Sequence, residues 1–140
     1  MGDLKAFMLP PVTDETEEVI ISDRFKDEKG NVQAFKIRVL SQEINESLRR
    51  RSSTVVKKNG VRIGENLDTI AYGRELIVAA TVYPNFRAEE LCDYYKTKDP
   101  LDVPTKMLTA GEYNKLAKAI NILNGFSEDP DAAEEEAKNS

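Results

Sequence analysis

The stretch EEVIISDRFKDEKGNVQAFKIRV, residues 17–39, decides the fold class. In its first limb, Glu17 to Phe25, the apolar residues Val19, Ile21 and Phe25 fall on one side with polar residues between them, the period-two pattern of a half-buried strand. Asp27-Glu28-Lys29-Gly30-Asn31 is turn chemistry, with Gly30 placed to supply a positive φ. In the return limb Phe35, Ile37 and Val39 alternate with Lys36 and Arg38. Two alternating limbs about a glycine turn predict an antiparallel β-hairpin. The period after it is helical, so the chain reads as α+β: a mainly helical single domain with an N-terminal antiparallel β-hairpin.

Outward from the hairpin, Ser41 is placed as an N-cap, and Leu40, Ile44 and Leu48 recur at four-residue spacing, predicting a helix to about Arg51. Asn59-Gly60 between Val55 and Ile63 fits a second small hairpin, and an irregular loop fits nearly as well. Leu67 to Val82 is mostly apolar and predicts a central buried helix ended by Pro84. Ala88 to Tyr95 predicts a short helix. Thr109-Ala110-Gly111-Glu112 has capping-box spacing, with Leu108 and Tyr113 as its hydrophobic staple. Tyr113, Leu116, Ala117, Ile120 and Leu123 form one apolar stripe, and Asn124-Gly125-Phe126 reads as a left-handed stop with Phe126 folding back towards Ile120. Residues 1–15, with Pro10-Pro11, read as a flexible lead-in, 16–126 as the domain, and 127–140 as an acidic disordered tail.

Charge is segregated along this frame. Residues 127–140 hold six acids and one base, which accounts for the whole net charge of −5 and leaves the body neutral. Within the body, residues 1–28 hold eight acids against three bases, whereas Ser47 to Gly64 holds six bases (Arg49, Arg50, Arg51, Lys57, Lys58, Arg62) and no acid. Acidic head and basic middle are expected to neutralise each other in the fold. No apolar run approaches the roughly 20 residues of a membrane span, and the N-terminal residues lack a secretory pattern, so the expected location is the cytoplasm.

The chain has no histidine, no tryptophan and one cysteine, Cys92. That removes imidazole-based nucleophile pairs and zinc sites, and leaves no internal disulfide. Asp23, Phe25 and Asp27 have the odd spacing of a calcium loop, but Phe25 fills a ligand slot and Glu28 replaces the required glycine. Gly60-Val61-Arg62-Ile63-Gly64 lacks the ending of a phosphate loop. Glu89 and Glu90 read as a solvated face, and Cys92 as a small buried hydrophobe. No catalytic, cofactor or metal site is read, and the chain is expected not to be an enzyme. Arg49-Arg50-Arg51 raises nucleic acid as a second reading, that of a small nucleic-acid-binding or regulatory protein using the basic segment 47–64, but consecutive helical positions point about 100° apart and make no flat stripe.

Three blocks carry a resemblance. They are Val19 to Gly30 with the return Phe35-Lys36-Ile37-Arg38; Ala79-Ala80-Thr81-Val82-Tyr83-Pro84-Asn85-Phe86 ahead of Glu90-Leu91-Cys92-Asp93-Tyr94-Tyr95; and Lys106 to Leu116 leading to Ile122-Leu123-Asn124-Gly125-Phe126. In order and spacing, from about Val19 to Phe126, the chain resembles the small tail assembly chaperones of tailed phages and defective prophages of Gram-positive bacteria. The resemblance implies a protein that holds the long helical tape measure protein until tail tube subunits polymerise, and that is absent from the mature virion. An amphipathic body suits that role by offering a groove to a helix. Tyr83, Phe86, Tyr94 and Tyr95, aromatics near helix ends, are the candidate anchors, with the hydrophobic core as their alternative place; Arg49, Arg50 and Arg51 are the second candidate surface. The resemblance also implies a longer form, made by a one-nucleotide ribosomal slip at Ala137-Lys138-Asn139-Ser140, whose extra segment would recruit tail tube protein.

Overall fold

The computed structural model describes residues 2–127. Its elements follow the order β1 (Thr16–Val19), β2 (Phe35–Arg38), α1 (Gln42–Arg51), β3 (Ser53–Lys58), β4 (Val61–Leu67), α2 (Thr69–Ala80), β5 (Thr81–Tyr83), α3 (Glu89–Tyr94), α4 (Val103–Met107) and α5 (Ala110–Leu123), with single 3-10 turns at Leu4–Phe7 and Pro100–Asp102. This is the expected α+β, mainly helical architecture. β1 and β2 pair antiparallel from Thr16↔Arg38 to Val19↔Phe35.

The first strand is shorter than its pattern predicts. It stops at Val19 because the chain turns at Asp23-Arg24, where the Ser22 hydroxyl accepts from the Arg24 N–H at 3.2 Å. Ile21 and Phe25 still face inward, Ile21 at 4% exposure and the Phe25 ring edge-on to Phe35 at 5.3 Å. The glycine turn forms as expected: Gly30 has φ 83°, and the Asp27 carboxylate accepts from the N–H groups of Lys29 and Asn31, each at 2.9 Å. Four backbone and side-chain donors around that carboxylate make a closed turn and no cation loop.

A third strand joins this sheet. The helix expected to reach Val82 ends at Ala80, and Thr81–Tyr83 pairs antiparallel with the free edge of β2, in the order β1-β2-β5. Thr81, Val82 and Tyr83 are β-branched or aromatic, and Tyr83 is held out of helical φ/ψ by Pro84, so tertiary pairing wins over the apolar run. The Asn59-Gly60 segment is a hairpin. Asn59 (φ 53°) and Gly60 (φ 77°) take the two left-handed positions of a type I′ turn between β3 and β4. Residues of this hairpin are mostly exposed, and its base is closed by the Asp68 N–H donating to the Ser52 carbonyl at 2.8 Å. It stands off the body as an arm.

Helix ends follow their sequence signals. Ser41 Oγ accepts from the Ile44 N–H at 3.2 Å, and Asp68 Oδ1 accepts from the N–H groups of Ile70 and Ala71, each at 3.1 Å. The Thr109–Glu112 capping box is complete in both directions. α5 ends in a Schellman arrangement, with Phe126 N–H donating to Asn121 O at 2.8 Å and Gly125 N–H to Ile122 O at 3.1 Å about Gly125 (φ 76°). Phe126 itself is 48% exposed. α4 has only five residues, too few to show a helical period, yet it buries Val103, Pro104 and Met107.

The core lies between the three-stranded sheet and helices α2 and α5. Ile37, Phe86, Leu116 and Ile120 are fully buried, with Leu48 and Ile77 beside them. Asn124 joins the end of α5 to the segment after β2: its Oδ1 accepts from Leu40 N–H at 2.8 Å and its Nδ2 donates to Arg38 O at 3.2 Å. In the lead-in, Leu4, Phe7, Met8, Leu9 and Val12 are all exposed. Of the expected acidic tail only Ser127 falls within the described residues. Among those residues no helix is long and apolar enough to cross a membrane.

Candidate functional site

Strand β5 delivers Tyr83-Pro84 to the surface, and α3 runs back past them with Leu91 and Tyr94, followed by Tyr95. Tyr83, Pro84 and Leu91 are common walls of two adjoining clefts. One, of about 240 Å³, is closed by Phe25, Phe35, Tyr95 and Met107; the other, of about 440 Å³, by Ala88, Glu90 and Tyr94. Together they form one groove with an apolar floor and a tyrosine lip. Tyr94 is 76% exposed and Tyr83 57%, and the Tyr94 and Tyr95 rings meet edge to face at 4.9 Å. Burial, then the neighbouring Tyr94, pushes the Tyr95 hydroxyl above its ordinary pKa, against the opposing pull of Arg24.

Three of the four candidate aromatics therefore meet at one site. The fourth does not. Phe86 is fully buried, its ring 6.5 Å from Phe35, and the Cys92 thiol donates to its carbonyl at 3.6 Å. Phe86 belongs to the core, because the turn after Pro84 directs its side chain under the sheet rather than along the groove. Cys92 is buried with it, as its apolar setting predicts.

One side of the groove is fixed by a contact that no sequence pattern signals. Arg24 Nε and Nη2 donate to the two Glu112 carboxylate oxygens, each at 2.8 Å, and Nη2 also donates to Met107 O at 2.6 Å. The guanidinium lies 4.2 Å over the Phe25 ring. Glu112 is already the capping-box carboxylate of α5, so one side chain caps a helix and holds the hairpin connection to it. The Arg24 hydrogen bonds, then the Thr109 N–H, lower the Glu112 carboxyl to about 2. Lys106 Nζ donates to Tyr95 O at 3.3 Å on the same side. The capping box was legible; its partner, 88 residues away, was not.

The second candidate surface is dispersed. Arg51 reaches the buried Glu75 at 3.8 Å, Arg50 pairs with Glu46 one turn back at 3.5 Å, and the Arg49 guanidinium lies 6.0 Å from the Tyr72 ring. Arg62 pairs with Glu65 on the arm. Arg49 and Arg50 line a cleft of about 220 Å³ together with Glu46 and Glu65, so carboxylates interrupt the basic face. The three arginines do not form one stripe, and a phosphate-tracking surface is not built here. Among the described residues the acidic head makes no ion pair with segment 47–64; Arg50 and Arg62 find carboxylates locally and Arg51 finds one on α2. The expected neutralisation of head by middle does not occur, since the head lies on the sheet and the bases lie on the arm and the end of α1.

Comparison with known proteins places this geometry. The family model described as phage XkdN-like tail assembly chaperone protein matches residues 4–138. The phage-like element PBSX protein XkdN of Bacillus subtilis (strain 168) is 40% identical over 138 residues, covering 96% of this chain and 93% of its own length. An uncharacterized protein of the same strain, YqbN, is 41% identical over 138 residues, covering 96% and 92%. The crystal structure of YqbN superposes with a TM-score of 0.74 at 32% identity, covering 91% of this chain and 99% of that one.

Proposed function

The chain belongs to the XkdN-like family of phage tail assembly chaperones, and from that premise we propose that it holds a helical segment of the tape measure protein during tail assembly, in the groove of Tyr83, Pro84, Leu91, Tyr94 and Tyr95. The observation that carries this reading is the union of two apolar clefts across the Tyr83-Pro84 wall. Exposed tyrosines around an apolar floor are suited to anchor apolar side chains spaced three and four residues apart on a partner helix. Such holding needs a reversible surface and no proton-transfer group, so the role is a binding one and not a catalytic one.

The test uses the exposed lip. The paired substitution Tyr83→Ala and Tyr94→Ala removes ring area from the surface and leaves the buried core untouched. Expected is a soluble, folded chain that no longer co-purifies with co-expressed tape measure protein. Retention of the tape measure protein at the unaltered level would remove the groove from the interface. Charge reversal at Arg49, Arg50 and Arg51 tests the second surface in the same assay.

The proposed role includes a place of action in the host cytoplasm and departure before the virion is complete. It also includes the extended form. Lys138-Asn139 after an alanine can be encoded A-AAA-AAC, a string on which a ribosome slips back by one nucleotide, and the added segment would reach tail tube protein. Codons incompatible with tandem slippage, or a stop in the shifted frame, would refute the extended form without touching the groove.

A further inference from the structure

Two surfaces of the chain combine an open backbone edge with charge of opposite sign. β1 is the outer strand of its sheet, in the order β1-β2-β5. Val39 N–H donates to Glu15 O at 3.2 Å, so the hydrogen-bonded pairs with β2 fall at Glu15, Glu17 and Val19. The N–H and C=O groups of Thr16 and Glu18 therefore point away from β2, along an edge that no other strand pairs among the described residues. Asp14, Glu15, Glu17 and Glu18 are exposed on and just before this strand, and Val12 and Ile20 flank it, exposed as well. Even Glu17, opposite the fully buried Ile37, is uncovered.

The arm is the counterpart. Its two strands pair only with each other, so β3 also has an open edge. Counted from the bond of Asp68 N–H to Ser52 O, Val55 turns its backbone groups to that edge. Lys57 and Lys58 stand exposed at the end of β3, with Val55, Val61 and Ile63 exposed beside them. A two-stranded hairpin with no further cover is marginal in water. Among the described residues Lys57 and Lys58 have no carboxylate within pairing distance, and Glu17 and Glu18 have no base.

Within one chain these surfaces lie apart. The base of the arm is tied to the start of α2 through Asp68 and to its middle through Arg51 and Glu75. α2, with 12 residues, puts about 18 Å between that base and β5, and β2 lies between β5 and β1. We propose that β1 of one copy adds as a strand to the open edge of β3 in a second copy, with Glu17 and Glu18 against Lys57 and Lys58. Consecutive strand residues point to opposite faces, so a carboxylate and an ammonium meet on each face. Main-chain hydrogen bonds hold such an addition together, and the charges select which edges meet. Two β1 edges, or two β3 edges, would set like charges opposite one another. The contact involves neither the aromatic groove nor its occupant.

Sedimentation equilibrium of the full chain tests it. At low salt the weight-average mass should rise above that of one chain as concentration increases. In about 0.5 M salt, where the Debye length is about 4 Å, the association should weaken at least about tenfold. Glu17→Lys with Glu18→Lys should weaken it to a similar degree, and so should Lys57→Glu with Lys58→Glu. An equimolar mixture of these two variants should associate again, because the exchanged charges meet their opposites. Thr16→Pro removes an outward N–H and no charge, and should weaken the association as well. A native amide spectrum establishes that each variant is folded. Single chains at every concentration would overturn the proposal, as would association indifferent to salt or charge-reversed variants that stay apart when mixed. Association that survives Thr16→Pro at full strength would refute strand addition.

Discussion

Phe86 and Tyr94 lie eight residues apart, and their substitution separates core from interface. Phe86 is fully buried against Phe35 and under the Cys92 thiol, and Tyr94 is 76% exposed. Phe86→Ala removes a whole ring from a close-packed site, which costs about 3–5 kcal/mol. A domain of this size holds roughly 5–15 kcal/mol in total, so the loss takes about a fifth of it or more. Phe86→Leu keeps most of the volume and should cost less than about 1.5 kcal/mol. Tyr94→Ala, at a surface position, should stay within about 0.5 kcal/mol. Urea unfolding followed by circular dichroism measures all three, with the slope of the transition unchanged if the folded and unfolded surfaces are comparable. The functional half of the experiment crosses over. Phe86→Leu should retain the tape measure protein, and Tyr94→Ala should bind it at least about fivefold more weakly, the equivalent of 1 kcal/mol at an anchor position. A Phe86→Ala cost below about 1 kcal/mol would refute the core assignment. A folded Phe86→Leu chain that loses its partner while Tyr94→Ala keeps it would refute the division between core and lip.

Acid should loosen the α5 cap in a defined window. Glu112 is held at about 2 against an ordinary value of 4.5, so its contribution is complete above pH 4.5 and is lost as pH falls towards 2. Glu112→Gln should lower the urea midpoint at pH 7 and flatten its decline between pH 4.5 and 2; parallel declines in both proteins would rule out Glu112 as the titrating group. Asn124→Ala leaves Leu40 N–H and Arg38 O without their side-chain partner and should cost about 1–3 kcal/mol in urea unfolding. Gly60→Ala forces a side chain into φ 77° at the arm's turn, at a cost of about 1–2 kcal/mol. Hydrogen exchange should speed up from Ser53 to Leu67 and remain unchanged around Phe86 and Leu116; uniform acceleration would show that the arm is not a separate unit.

The parts of this fold that were legible in the sequence are those whose physics is local. A capping box closes within four residues, a type I′ turn within two, and a left-handed stop at one glycine, so Thr109–Glu112, Asn59-Gly60 and Gly125 could all be located without a structure. The parts that were not legible depend on distant partners. Thr81–Tyr83 continues an apolar helical run, and only the free edge of β2 makes it a strand. α4 is shorter than the window in which a period can be counted. The four aromatics looked equivalent because they share composition and position near helix ends; which one turns inward is decided by the sheet that Phe86 packs beneath. Phe25, which helps complete the groove, carried the inward pattern of a core residue, and a half-buried residue at a groove floor has that same pattern.

Groove geometry also distinguishes what is held from what is free. Phe25 and Met107 form one side of the smaller cleft, and Arg24 touches both, stacking over the first and bonding the carbonyl of the second. Glu112 fixes Arg24 in turn, and the capping box fixes Glu112. That side of the groove is therefore set before any partner arrives, and side chains already in place cost no ordering entropy on binding. Tyr83 and Tyr94 are different: the exposed rings of the lip have no hydrogen bond among the described residues and must be ordered by what they bind. A holding protein that must later let go gains from this division. In the proposed holding role the fixed floor would supply selectivity for apolar side chains, and the entropy cost of ordering the lip would limit the affinity, so that release would not require the fold to open.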